Sequence, residues 1–125
     1  MRKNASVVCG RMHQLCRLDL SRGKTLYREL GVELRALAQQ LRTRYRASKI
    51  LAFGSYARHE LNEGSDIDLL IVGEFTERFH KRIGAVLDLT ELPIEPLCYT
   101  EAEFEQLVRA KNPFITAVLE EAVEL

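Results

Sequence analysis

From Lys24 onward an apolar residue returns every three or four positions, at Leu26, Leu30, Leu34, Leu37, Leu41 and Tyr45, with Arg28, Arg35, Arg42 and Arg44 between them. That spacing predicts an amphipathic helix whose leucines cover a sheet. Lys49-Ile50-Leu51-Ala52-Phe53 is a short apolar run halted by Gly54, the pattern of a buried strand. Ser55 to Leu61 can form a short helix with Ser55 as its N-cap, and Asn62-Glu63-Gly64-Ser65 reads as a turn. A second strand follows over Asp66 to Val72, where Leu69-Leu70-Ile71-Val72 is apolar enough for burial on both faces. Phe75, Phe79, Ile83, Val86 and Leu87 mark another helix, and residues 92–99 a third strand. Thr100 and Glu103 form a capping box ahead of Phe104, Leu107 and Val108, and Asn112-Pro113 opens the last helix with Asn at the cap and Pro at the first helical position.

The predicted order is α-β-α-β-α-β-α-α, an α/β (α+β) fold with a small mixed sheet of about three strands flanked by helices. The 125 residues fit a single domain, 1–125, with an apolar fraction of 46% and a charged fraction of 29% that suit a globular chain. Residues 1–22 have apolar positions without a clean period, so an ordered arm and a loose one both fit. No run approaches the roughly 18 residues of a membrane span, and a cytoplasmic location is expected. Cys9, Cys16 and Cys98 match no zinc spacing and read as free, buried thiols.

Net charge is zero, yet residues 1–58 hold 13 Lys/Arg against 3 Asp/Glu while residues 59–125 hold 5 against 15. A basic face toward a polyanion, or two oppositely charged halves packed together, would each account for the division.

The chemistry concentrates around two short stretches. Successive strand side chains alternate faces, so Asp66 and Asp68 point the same way. Two such carboxylates about 4 Å apart repel by roughly 4 kcal/mol at an effective dielectric near 20. A cation between them relieves this, and magnesium favours one or two carboxylates plus substrate phosphates. Gly54 and Ser55, where the first strand meets the predicted short helix, offer backbone N–H groups and a hydroxyl to an anion. The intervening segment is long enough to reverse and bring phosphate cradle and metal ligands into one cleft.

Gly54-Ser55-Tyr56-Ala57-Arg58 with Ser65-Asp66-Ile67-Asp68-Leu69 resembles the signature of the DNA polymerase β-like nucleotidyltransferase superfamily, specifically its minimal nucleotidyltransferase (MNT) branch. The resemblance covers residues 50–99 and extends less specifically through Tyr99-Thr100-Glu101 and Asn112-Pro113-Phe114. It implies that Asp66 and Asp68 bind two magnesium ions, that Gly54 and Ser55 hold the triphosphate of ATP or another nucleoside triphosphate, and that Ser65 lies in the nucleotide site. A third carboxylate on a later strand completes the metal site in such proteins. Glu95 is the best match, although the family usually has Asp there, and Pro96 follows it; Asp88 and Glu91 are the fallback candidates. Arg58 falls where the family often carries Arg, and phosphate contact and an exposed surface position both fit it. His59 stands where Gly is frequent and reads, with His13 and His80, as a surface residue.

The resemblance implies transfer of a nucleoside monophosphate to an acceptor hydroxyl, with a tyrosine of a HEPN-domain toxin as the expected acceptor and the MNT chain as antitoxin. A catalytically degenerate MNT domain that only binds its HEPN partner is the alternative, motivated by Glu95. Transfer to RNA, motivated by the basic first half, is a third, and a homo-oligomer is open.

Overall fold

The computed structural model describes residues 7–8, 17–18, 23–62 and 64–125. Val7–Val8 (β1) and Arg17–Leu18 (β2) pair antiparallel. The remainder of the expected arm over 1–22 lies outside the described residues, as do Cys9, Cys16 and His13.

Helix α1, Lys24–Tyr45, buries every member of its predicted stripe from Leu26 to Tyr45. Arg42 and Arg44 occupy its last turn, where positive charge complements the exposed carbonyls. The chain leaves the helix through Arg46, held at a left-handed φ of 51°, and enters β3, Lys49–Phe53. Then come β4 (Ile67–Val72), α2 (Phe79–Leu87), β5 (Ile94–Tyr99), α3 (Glu101–Arg109), α4 (Pro113–Glu121) and β6 (Val123–Glu124).

The four-stranded sheet has the order β5-β4-β3-β6. β3 pairs antiparallel with β4 and with β6, while β4 pairs parallel with β5, so the sheet is mixed as expected. Strand alternation gives it two apolar faces. Ile50, Ala52, Ile67, Leu69, Ile71, Ile94 and Cys98 pack with α1 and with Val86 of α2. Leu51, Phe53, Leu70 and Val72 pack with Phe104 of α3 and with Ile115 and Val118 of α4. Burial of β4 on both faces is thus what its unbroken apolar run predicts.

Both predicted caps are present. Thr100 accepts the Glu103 N–H while the Glu103 side chain accepts the Thr100 N–H, and Asn112 Oδ1 accepts from Phe114 and Ile115 at the start of α4.

Three expectations are corrected. Residues 54–59 form a turn rather than a helix from Ser55. Its bonds change span at each step, Arg58 to Gly54, His59 to Tyr56 and Glu60 to Ser55, and Gly54 and His59 are both left-handed, so no helical repeat is established. The second helix begins at Phe79, leaving Phe75 outside it to pack on the Tyr45 ring. The sheet gains a fourth strand, β6, whose two residues are too few to show a period.

Candidate active site

Register builds the site. Phe53 at the end of β3 lies opposite Asp68 of β4, and Asp68 lies beside Glu95 of β5, so the three form one rung across the sheet. Neighbouring strands are about 4.8 Å apart, which puts the two carboxylates of that rung within reach of each other. Asp66 precedes β4 by one residue and, two positions from Asp68, shares its face. Beyond Phe53 comes Gly54 with φ 72°. A Cβ on Gly54 would stand 2.3 Å from Asp68 Oδ2, closer than any real contact, so glycine is required both by the backbone angle and by the carboxylate against it.

Burial pushes the Asp68 carboxyl up to about 6, reinforced by a hydrogen bond with Glu95, by the charges of Glu95 and Asp66, and opposed by Arg58. Asp66 is raised too, by burial and then by Glu95. Carboxylates that raise one another's pKa mark a place where negative charge is concentrated and positive charge is wanted. Among the described residues no three or more His, Cys, Asp or Glu side chains are gathered as a ready metal cluster. The donor set itself fits a hard divalent cation: all three donors are carboxylates, and a cation would reverse the crowding that lifts Asp66 and Asp68.

The anion side of the site differs from expectation. With the turn in place of a helix, the Gly54 N–H donates to Glu121 Oε2 at 2.8 Å. Arg58 Nη1 donates to both oxygens of the same Glu121 carboxylate, at 3.0 and 3.2 Å, while Arg58 Nε donates to Glu60 at 2.9 Å. Ser55 and Tyr56 flank this point half-buried. Ser65 is occupied within its own turn: its hydroxyl donates to Asn62 Oδ1 and accepts the Asn62 N–H, both at 3.0 Å.

Other candidates lie elsewhere. Asp88 caps α2, and both it and Glu91 are exposed in the connection ahead of β5. His59 is exposed and stacks on Tyr27, ring centroids 4.5 Å apart, at a left-handed φ of 58° that accounts for the glycine expected there. His80 is exposed on α2. Cys98 is a buried free thiol, pushed up to about 12 by burial, and is chemically quiet.

The family model for the nucleotidyltransferase domain matches residues 34–124, which include this rung and Gly54. This chain is a nucleotidyltransferase-family protein. It is similar to a Methanocaldococcus jannaschii protein named "Putative protein adenylyltransferase", 33% identical over 93 residues that make up 74% of this chain and 90% of the relative. Two further proteins of that organism with the same descriptive name match over 43 residues each, at 46% and 48% identity, covering 33% and 34% of this chain and 43% and 44% of their own length. These likenesses accord with the minimal nucleotidyltransferase branch. In this fold strand register sets Asp68 beside Glu95, with Asp66 just ahead of β4 and Gly54 against Asp68. Among the described residues no helix is long and apolar enough to cross a membrane.

Glu121 is the site residue that sequence reasoning missed. Nothing local distinguishes it from Glu120 beside it: only packing of α4 on the sheet through Ile115 and Val118 decides which of the two faces Gly54.

Proposed function

We propose that this chain transfers AMP from ATP to a hydroxyl of a protein acceptor, with a tyrosine of a HEPN-domain toxin as the acceptor and the chain acting as its antitoxin. The observation that carries the reading is the single rung Phe53-Asp68-Glu95, which sets two carboxylates beside Asp66 and next to Gly54. The name shared by the archaeal relatives supports a protein acceptor and an adenylyl group. The HEPN partner and the tyrosine come from the family resemblance.

Asp66, Asp68 and Glu95 would hold magnesium, two ions on the family pattern; when bound, it neutralises phosphate charge and favours in-line displacement. Gly54 offers its N–H to a phosphate oxygen, and its missing side chain leaves the room that the Asp68 carboxylate fills. Arg58 adds a positive charge beside the same N–H. The acceptor oxygen forms a bond to the α-phosphorus while the α–β bridging bond breaks and pyrophosphate leaves. Glu95, at the solvent side of the rung and exposed, is placed to take the acceptor's proton.

The test supplies purified chain with α-labelled ATP, magnesium and a HEPN-domain protein from the same organism. Label on a tyrosine of the partner is expected, and Asp66→Asn should lower it at least about 100-fold. Complex formation without label would replace transfer with the binding-only reading, and label appearing on RNA would redirect the acceptor.

A further inference from the structure

Glu121 ends α4, three residues beyond buried Val118 and so on the same helix face, which carries its carboxylate to the end of β3. There it takes the Gly54 N–H and the Arg58 guanidinium, two of the donors that the proposed function gives to the triphosphate. A phosphate oxygen and this carboxylate need the same hydrogens, and both cannot have them. We propose that Glu121 is a built-in occupant of the triphosphate cradle, an autoinhibitory carboxylate that nucleotide must displace. The inference rests on the nucleotidyltransferase reading above.

Holding the fold together is a weak explanation for the contact. Arg58 and Glu121 are both substantially solvated, with side-chain exposures of 47% and 31%, and such pairs are worth about 0–1 kcal/mol. The tail after Glu121 is anchored independently: β6 pairs with Leu51 and Ala52, the Leu125 N–H donates to the Ile50 carbonyl at 2.9 Å, and Arg42 donates to the Leu125 carbonyl. Nor does local charge invite a fourth acid, because Asp66, Asp68 and Glu95 already crowd the same end of the sheet. The two donors compensate for that, and they hold the Glu121 carboxyl below the usual range, which favours its charged form. Because the tail is tied separately, rotation of the Glu121 side chain alone vacates the cradle, with β6 left in place.

The experiment titrates Mg·ATP into wild type, Glu121→Gln and Glu121→Ala by calorimetry and measures transfer kinetics on each. Glutamine keeps the shape and can still accept the Gly54 N–H, but loses its hold on Arg58. If the carboxylate shuts the cradle in about nine molecules of ten, Glu121→Ala binds about tenfold tighter and Glu121→Gln gains less, since apparent affinity scales with the open fraction. KM for ATP should fall by the same factor with kcat kept, an outcome that mere loss of a structural contact does not produce. Combining either variant with Arg58→Ala should shrink the gain, because the clasp is then already half undone. Equal or weaker Mg·ATP binding by both variants, with wild type still transferring label, would overturn this inference and leave the enzyme reading standing. Absence of Mg·ATP binding in all three proteins would remove both.

Discussion

A single missing methyl group governs the contact between Gly54 and Asp68. Alanine at 54 would need a left-handed backbone and would overlap Asp68 Oδ2 at 2.3 Å. Gly54→Ala should therefore cost about 2–3 kcal/mol of stability, seen as a lower urea midpoint, and should reduce transfer further than the stability loss explains. Gly54, Asp66 and Asp68 were legible because their spacing and the apolar runs around them define a strand, a turn and a strand. Glu121 was not, since an acid at the end of an amphipathic helix looks solvated until the helix is docked. Ser65 stands beside Asp66, where the resemblance puts the nucleotide, and its hydroxyl bonds to Asn62 inside the turn. In each instance the deciding partner lies outside the motif or is one of its quiet neighbours.

Among the elements, α2, β5 and α3 are tied by one buried cation. Arg82 is 6% exposed, donates to the Glu77 and Cys98 carbonyls, and pairs with Glu103 at 2.8 Å. Its guanidinium lies 5.6 and 5.8 Å from the Phe75 and Phe79 ring centroids, within cation–π range. Because Glu103 also closes the capping box of α3, one side chain couples helix start, strand end and helix face. Arg82→Ala should destabilise by about 2–4 kcal/mol and lower the melting temperature by roughly 10 °C, leaving KM for ATP unchanged because the network stands away from the rung. Arg82→Lys should recover only part, since an ammonium cannot bridge the same set of acceptors. The sequence pattern disclosed the helices and central strands, whose periods are long. It gave no sign of Arg82, which occupies an apolar helix face as a charged residue, nor of β6, which depends on pairing with a distant strand.

Across the whole molecule the two oppositely charged halves do not become two bodies. β3, from the basic half, lies between β4 and β6 of the acidic half. The same intermeshing collects carboxylates at one end of the sheet, and that has a pH signature. Asp68, folded, titrates near 6, above an ordinary carboxyl. Its ionised form is therefore the unfavourable one: the penalty is full above pH 6 and fades as pH falls from 6 toward about 4. In metal-free buffer, Asp68→Asn should be more stable than wild type at pH 7.5 by about 1 kcal/mol after allowance for solvent screening, and the difference should close below about pH 4. Thermal melts of both proteins across that window check it, and a constant difference would contradict the assignment. The gain in stability and the loss of transfer in one variant would show a site held together against its own repulsion.

Pro96 acquires a different meaning once β5 is seen at the margin of the sheet. It follows directly on the rung and lacks an N–H, yet β4 still pairs with β5 in register from Ile67 to Val72. The outer side of β5 is where another polypeptide could add itself strand by strand, and a proline in the middle of that rim denies the newcomer a hydrogen-bond donor. On the proposed function this is the strand that presents Glu95 to substrate and so has to stay open, and a proline next to that acid makes the open rim a poor template for aggregation.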